Sequence, residues 1–221
     1  MGPMVDGAGN RISGIEDFLG RDQYGIDSPH PSMVVSDILE QFPVLSHAGK
    51  FHAMLAASSI PEAVNYYHLF KQQAPKLHVT ALFDPNIDNN EGATDKEDAL
   101  TEIITDYNEA FGKEFVIPTW PAMKKDISSR LSHKSPYGGI ATNRSQQLDL
   151  LIVVDQMLTG FDSKWVNTLY LDKIIDYESI IQAFSRTNRL FGQISRLASS
   201  AITVSRTPCM VSSSSCETVF G

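Results

Sequence analysis

The strongest constraint on the fold is a run of five consecutive aliphatic residues, Leu150–Val154, which lies between Asp149 and Asp155. Strands that are apolar at every position are buried on both faces, whereas strands with one solvated face alternate between apolar and polar residues. Parallel sheets covered by helices are the usual setting for such doubly buried strands. The run therefore predicts a central strand of a parallel sheet.

Other strand-like runs alternate with amphipathic segments along the rest of the chain. Strand-like runs occupy residues 51–57, 77–83 and 168–171. Apolar residues recur with helical spacing in residues 32–42, 59–74, 94–112, 119–131 and 177–184, and Pro43 is predicted to end the first of these helices. Short strands alternating with longer helices are typical of an α/β fold, in which helices cover both faces of a parallel sheet.

Charge and cysteine content exclude several classes of function. The chain has 221 residues and a formal net charge of −8 at pH 7. This charge argues against a broad basic surface for nucleic acid, but it is compatible with a few phosphate contacts. Cys209 and Cys216 are the only cysteines, so we predict neither a disulfide framework nor a zinc site, and no metal site at all. No apolar run approaches the ~20 residues that span a bilayer, so we expect a cytoplasmic protein without membrane contact.

A turn with ligand-binding chemistry follows the Leu150–Val154 strand. In parallel α/β sheets, ligands bind beyond the carboxyl ends of the strands, and Thr159-Gly160-Phe161-Asp162 is expected at that edge. A hydroxyl at Thr159 can bond a phosphate oxygen, and a carboxylate at Asp162 can accept from a ribose hydroxyl. Gly160 would let the backbone approach a ligand closely. Ordinary loop structure is the alternative for this turn by itself.

Two arginines lie three residues apart near the end of the last predicted helix. Arg186 and Arg189 would project from one helical face, where their like charges repel unless an anion lies between them. A triphosphate suits such a pair because guanidinium groups match phosphate oxygens and stabilise transferring charge. A pair of surface salt bridges is the alternative.

Taken together, these features resemble a known family. LLIVVDQMLTGFDSKWVNTLYLDK followed by IIQAFSRTNR is similar to motifs V and VI of the second motor domain of superfamily-2 helicases, and more closely to those of the motor (R) subunit of type I restriction enzymes. KFHAMLAASSIPEAVNYYHLFK resembles motif IV of that family and its following helix. The resemblance covers residues 49–191 and, more weakly, a lead-in at 1–48. It implies a RecA-like domain, the second helicase motor lobe.

The resemblance also implies roles on the nucleotide side. Gly160 would belong to motif V, Asp162 would lie near the ATP ribose, and Gln182 would couple the nucleotide site to the cleft between the two lobes. Arg186 and Arg189 would act as arginine fingers on the γ-phosphate. ATP with Mg²⁺ is thus the nucleotide expected for the intact enzyme, and this lobe is expected to bind none tightly by itself.

On the DNA side, the resemblance implies that Ser58, Ser59 and Thr159 contact the backbone of double-stranded DNA. Ser59 has a second interpretation from the sequence itself. Ser59-Ile60-Pro61-Glu62 has the pattern of a capping box, so Ser59 is also predicted to cap the helix that follows.

Parts of the motor that the resemblance implies have no counterpart in the sequence. No G-x-x-x-x-G-K-[ST] phosphate loop occurs, since Gly49-Lys50 is followed by Phe51, and no nuclease lobe is recognisable. We expect the chain to be inactive alone and to work with a first motor lobe and a nuclease lobe of the same subunit. Methyltransferase and specificity subunits are the further expected partners. A lobe of another superfamily-2 helicase, or a non-catalytic RecA-like docking module, are the alternatives.

The last segment differs in composition from the rest. Residues 192–221 contain eight serines, one acidic residue and both cysteines, and they show no strand or helix period. This composition predicts a disordered linker. A second hypothesis is that residues from about 193 onward are translated out of frame, because another reading frame can encode the basic and aromatic continuation that the resemblance implies.

Overall fold

A computed structural model describes residues 29–83, 93–154 and 163–172, with the side chains of 93–95 excepted. Its helices are α1 (His30–Leu45), α2 (Ile60–Gln73), α3 (Ala93–Phe111) and α4 (Trp120–Leu131), and its strands are β1 (His52–Ala57), β2 (Val79–Leu82), β3 (Leu150–Val154) and β4 (Val166–Asp172). Short 3₁₀ turns occupy Ile117–Thr119, Ile140–Thr142 and Arg144–Gln146. The predicted helix at 177–184, the Thr159–Asp162 turn and the 192–221 tail lie outside the described residues.

The four strands form one parallel sheet in the order β2-β3-β1-β4. Every residue of β1, β3 and β4 is buried, so both faces of the sheet are covered. The α/β parallel sheet predicted from the sequence is confirmed, and this arrangement is compatible with a RecA-like domain. The observed bounds of β3 coincide with those of the apolar run that predicted it.

Apolar spacing correctly predicted which helix faces are buried. In α2 the buried side chains are Ile60, Ala63, Tyr66, Tyr67 and Phe70, and they pack into the same core as the sheet. The apolar residues that recur with helical spacing in α4 are also buried: Trp120, Met123, Ile127 and Leu131. Burial of such faces, at about 25 cal/mol per Å² of apolar area, is the main stabilising contribution in an α/β domain.

Several boundaries differ from the prediction. The prediction that Pro43 ends α1 is wrong, because Pro43 lies within the last turn of a helix that continues to Leu45. Proline lacks one helical N–H, but it leaves the two following N–H groups able to bond within the turn. β2 is shorter than the predicted 77–83, and β4 is longer than 168–171, because pairing with β1 extends it to Val166 and Asp172.

The chain reverses sharply between α1 and β1. His47, Ala48 and Gly49 have φ values of 50°, 59° and 83°, and the Ala48 N–H donates to the Pro43 carbonyl at 2.9 Å. Positive φ is accessible to glycine and strained for other residues. Gly49 is also tightly enclosed, since a Cβ added there would lie 2.3 Å from Nη1 of Arg144.

In the part of the chain that the structure describes, no helix is both long enough and apolar enough to cross a membrane.

Candidate functional site

The carboxyl edge of the sheet is where the sequence places its candidate residues. β1 and β4 end side by side, with Ala57 paired to Asp172, and Ala57 is also paired to Val154 at the end of β3. Of the predicted site residues, Ser58 and Ser59 are described. Outside the described residues lie Thr159, Gly160, Asp162, Gln182, Arg186 and Arg189, and their placement stays a prediction.

Ser58 is exposed at this edge, directly after β1. Its hydroxyl donates to the backbone carbonyl of Asp172 at 3.2 Å, and its N–H donates to the Glu62 carboxylate at 2.6 Å. Both hydrogen-bond donors of Ser58 are therefore held in defined directions, while the hydroxyl oxygen keeps an acceptor lone pair. A hydroxyl fixed in this way suits contact with a ligand that passes along the edge.

Ser59 caps α2, as the sequence predicted. Its extended backbone and its hydroxyl oxygen, which accepts from the Glu62 N–H at 3.3 Å, are typical of a helix N-cap. On the other side of the predicted capping box, the Glu62 carboxylate accepts from the N–H of Ser58 at 2.6 Å. Glu62 thus connects the helix start to the candidate contact residue.

Asp172 brings three elements together at the same edge. One carboxylate oxygen accepts from Nε2 of His30 in α1 at 3.0 Å, and the other accepts from the hydroxyl of Tyr66 in α2. The Asp172 side chain is only 8% exposed. Its backbone carbonyl meanwhile receives the Ser58 hydroxyl, so the end of β4 is bonded to β1, α1 and α2.

Sequence reasoning missed these supporting residues. Asp172 carried a usable signal, since it is a carboxylate that directly follows a predicted strand on the ligand-binding edge. Tyr66 was predicted only as part of the apolar face of α2. His30 gave no signal, because it contacts Asp172 across 142 positions of sequence.

The electrostatics of the edge are acidic next to Ser58. Burial raises the pKa of Glu62 above its usual range, and the nearby Asp172 carboxylate raises it further, while the N–H donated by Ser58 acts in the opposite direction. Burial, followed by the charge of Asp172, also raises the pKa of Tyr66, so its phenol remains a hydrogen-bond donor. The candidate contact residue therefore has a carboxylate beside it that an approaching phosphate would encounter.

Metal chemistry has no support within the ranges that the structure describes. No three His, Cys, Asp or Glu side chains there converge in a way that could hold a metal ion. The arrangement at the carboxyl edge instead offers a fixed hydroxyl and the start of a helix, which are groups that can contact phosphate oxygens.

A family model and individual relatives match this chain, and they all indicate the same family. The model of type I restriction enzyme subunit R domain 3 matches residues 49–199. The SauCOLORF180P type I restriction enzyme endonuclease subunit of Staphylococcus aureus strain COL is 32% identical over 166 residues, covering 72% of this chain and 17% of the relative. The SsaAORF53P endonuclease subunit of Staphylococcus saprophyticus is 34% identical over 181 residues, covering 78% of this chain and 19% of the relative.

A more distant match points the same way. The HindI type I restriction enzyme endonuclease subunit of Haemophilus influenzae is 29% identical over 163 residues, covering 74% of this chain and 13% of the relative. The chain therefore spans less than a fifth of the length of these curated relatives.

Proposed function

The chain belongs to the R-subunit family of type I restriction enzymes, and we propose that it acts there as the second RecA-like lobe of an ATP-dependent DNA translocase. In this proposal the lobe contacts the backbone of double-stranded DNA and completes an ATP site that it shares with a first motor lobe. The intact subunit would also carry a nuclease lobe and would assemble in the cytoplasm with methyltransferase and specificity subunits.

The observation that supports the DNA contact is the position of Ser58. It is exposed at the carboxyl edge of a parallel sheet, which is the edge where ligands bind in such folds. Hydroxyl contacts to phosphate carry no sequence information. A motor that holds DNA through such contacts could move along any sequence, and target choice would then belong to the specificity subunit.

The nucleotide half of the proposal rests on the sequence. Arg186 and Arg189 would reach the γ-phosphate of ATP, with Mg²⁺, when the two lobes close, and Asp162 would accept from the ribose hydroxyl. Gln182 would help to couple the nucleotide site to the cleft between the two lobes. Arginine groups that enter an ATP site stabilise charge on the transferring phosphoryl group, and each closure could advance the DNA contacts.

The DNA contact can be tested on the 221-residue chain itself by ¹⁵N NMR titration with a 20-base-pair duplex of arbitrary sequence. We expect the amide signals of Ser58, Ser59 and Glu62 to shift, with a dissociation constant near the weak end of the ~10⁻⁴–10⁻⁶ M range for non-specific binding. Ser58→Ala should weaken binding, whereas Ser36→Ala, at an exposed position of α1, should not. Shifts that avoid the carboxyl edge would contradict the proposal.

The nucleotide half needs a complete motor. A hybrid R subunit, in which residues 49–199 replace the matched region of the Staphylococcus saprophyticus relative, would supply the first lobe. We expect DNA-stimulated ATP hydrolysis that falls by about 10³-fold or more in Arg189→Ala, as for arginine fingers in general. Lys124→Ala, on the exposed face of α4, is the matched control. Unchanged hydrolysis in Arg189→Ala would exclude the finger role and favour a docking module.

A further inference from the structure

The Asp172 carboxylate is bonded in a way that serves no function proposed so far. It lies almost fully buried at the last position of β4, where Tyr66 and His30 each donate to one of its oxygens. These donors come from two different helices. A buried carboxylate costs free energy unless it is fully bonded, so a group of this kind fixes the elements that supply its partners.

The fixed end of β4 in turn determines the direction of the Ser58 hydroxyl. Ser58 donates to the Asp172 carbonyl at 3.2 Å, one position beyond the Ala57–Asp172 pair. If the end of β4 shifts, the acceptor of this hydroxyl shifts with it. The side chain of Asp172 therefore acts on Ser58 through the backbone of its own residue.

Helix α1 takes part in this arrangement although it precedes residue 49, where the match to the R-subunit domain begins. His30 is the first residue of α1, and the far end of the same helix is also bonded to β4, because the side-chain amide of Asn167 donates to the Leu45 carbonyl at 2.7 Å. Helix α1 is thus hydrogen-bonded to β4 near both ends of that strand.

We propose that Asp172 is a positioning residue for the DNA contact made by Ser58, and that His30 and Tyr66 hold it in place. This inference rests on the proposed function, since it assigns a role in DNA binding to residues that touch no DNA. It also assigns α1 a role in DNA binding, because His30 of this helix is one of the two side chains that donate to Asp172.

The test uses four variants of the 221-residue chain. Asp172→Asn replaces one acceptor oxygen by an NH₂ group, His30→Leu removes one donor, and His30→Gln restores a donor at that position. Asp106→Asn is the matched control, because Asp106 accepts from the hydroxyl of Tyr67, the neighbour of Tyr66 in α2, but lies in α3 and has no contact with Ser58.

Two quantities are measured for each variant. The first is the exchange rate of the amide protons at the ends of β1 and β4 in the free chain, relative to the amides of α4. The second is the dissociation constant for the 20-base-pair duplex. We expect Asp172→Asn and His30→Leu to speed exchange about tenfold, as loss of one hydrogen bond to a charged group would, and to weaken duplex binding. His30→Gln and Asp106→Asn should have nearly the same amide exchange rates and the same dissociation constant as the unchanged chain.

Each outcome decides between the two proposals. If the unchanged chain binds the duplex through Ser58 and Asp172→Asn binds equally well, the positioning role is wrong and the proposed DNA contact stands. If the unchanged chain shows no duplex-dependent shift at Ser58, both proposals fail. If Asp172→Asn does not fold, the contrast between His30→Leu and His30→Gln carries the test, since equal binding by these two would exclude the role of α1.

Discussion

His52 and His133 share a hydrogen bond between their Nε2 atoms, which lie 2.8 Å apart at the start of β1. Nδ1 of His52 lies 2.5 Å from the carbonyl of Leu148, and a carbonyl can only accept, so Nδ1 carries the proton. Nε2 of the neutral His52 ring is then the acceptor, and His133 is the donor. Its ring stacks on Trp165 with 3.9 Å between centroids. A second proton on His52 would place its Nε2–H opposite the Nε2–H of His133, and the hydrogen bond between the two rings would be lost.

This pair predicts loss of stability in mild acid. Burial lowers the pKa of His52 to about 3, and the charges of His133 and Arg144 act in the same direction, against the Leu148 carbonyl. Burial also lowers the pKa of His133 to about 4. The unfolded chain takes up protons near pH 6.5 and the folded chain does not, so this stability is complete above pH 6.5 and is lost as the pH falls toward about 4 for His133 and about 3 for His52. His52 alone should account for about 2 kcal/mol between pH 7 and pH 5.

Urea denaturation at a series of pH values measures this effect. His52→Gln keeps a polar side chain but removes the titrating group, so its free energy of unfolding should fall less between pH 7 and pH 5. His68→Gln is the control, because His68 is exposed and pairs with Glu102 on the surface of α2 and α3. Equal pH dependence in His52→Gln and the unchanged chain would contradict this account.

The sequence predicts those parts of the fold that depend on local pattern. Leu150–Val154 identified the central strand because every residue in it is apolar, and the spacing of Ala63, Tyr66, Tyr67 and Phe70 identified the buried face of α2. The same logic identified Ser59 as a helix cap. Each of these signals lies within one segment and requires no knowledge of what packs against it.

What the sequence did not predict depends on contacts between distant segments. His30 and Asp172 are far apart in the chain, as are His52 and His133, and no spacing rule relates the members of either pair. The burial of Arg130 likewise depends on distant contacts: it lies in α4 but is fully buried, and it donates to Tyr107, Tyr137 and Gln146 from three other segments. The sequence therefore pointed to Ser58 as a candidate contact residue, but it did not reveal Asp172, His30 and Tyr66, which support it.

Arg130 predicts a large loss of stability on removal. Its guanidinium donates to Asp126, to the hydroxyls of Tyr107 and Tyr137, and to the Gln146 carbonyl. Arg130→Ala would remove one donor from each of these acceptors and would break the ion pair between the buried guanidinium and Asp126, and loss of a buried ion pair typically costs about 3–5 kcal/mol. Arg130→Lys should recover little of this, because an ammonium group cannot reproduce the planar fork.

Urea denaturation of these variants is compared with Lys125→Ala, which removes an exposed cation from the same helix and should change the free energy of unfolding by less than about 0.5 kcal/mol. A loss in Arg130→Ala as small as that of the control would show that the buried network contributes nothing to stability.

Two glycines with positive φ allow strain and crowding to be separated. Gly112 has φ 61° and nothing within 4 Å of an added Cβ, whereas Gly49 has φ 83° and the Arg144 guanidinium at 2.3 Å. Gly112→Ala should cost about 1–2 kcal/mol through strain alone. Gly49→Ala should cost more, because Arg144 must also move away from the Gly49 carbonyl, to which it donates at 3.2 Å. Equal losses in thermal or urea denaturation would show that Arg144 moves freely.

The neighbouring serines should separate into a structural and a functional residue. Ser59→Ala removes the N-cap of α2 and should lower the free energy of unfolding by about 1 kcal/mol, and Ser59→Asp should restore most of it. Ser58→Ala removes an exposed hydroxyl, so it should change stability little while weakening duplex binding. Denaturation and duplex titration of the same three variants test both halves. A large loss of stability in Ser58→Ala would show that Ser58 has a structural role, and would contradict the separation of the two serines.

Glu62 should oppose the DNA contact that its own hydrogen bond helps to orient. Its carboxylate lies beside Ser58, where a phosphate would approach, and repulsion at ~8 Å in water amounts to about 0.5 kcal/mol. Glu62→Gln keeps an oxygen that can accept the Ser58 N–H but removes the charge, so duplex affinity should rise about twofold, and more at low salt. Glu97→Gln, at an exposed position of α3, removes the same charge away from this edge and should leave affinity unchanged. If both variants raise affinity equally, net charge alone governs binding and the duplex does not approach Ser58.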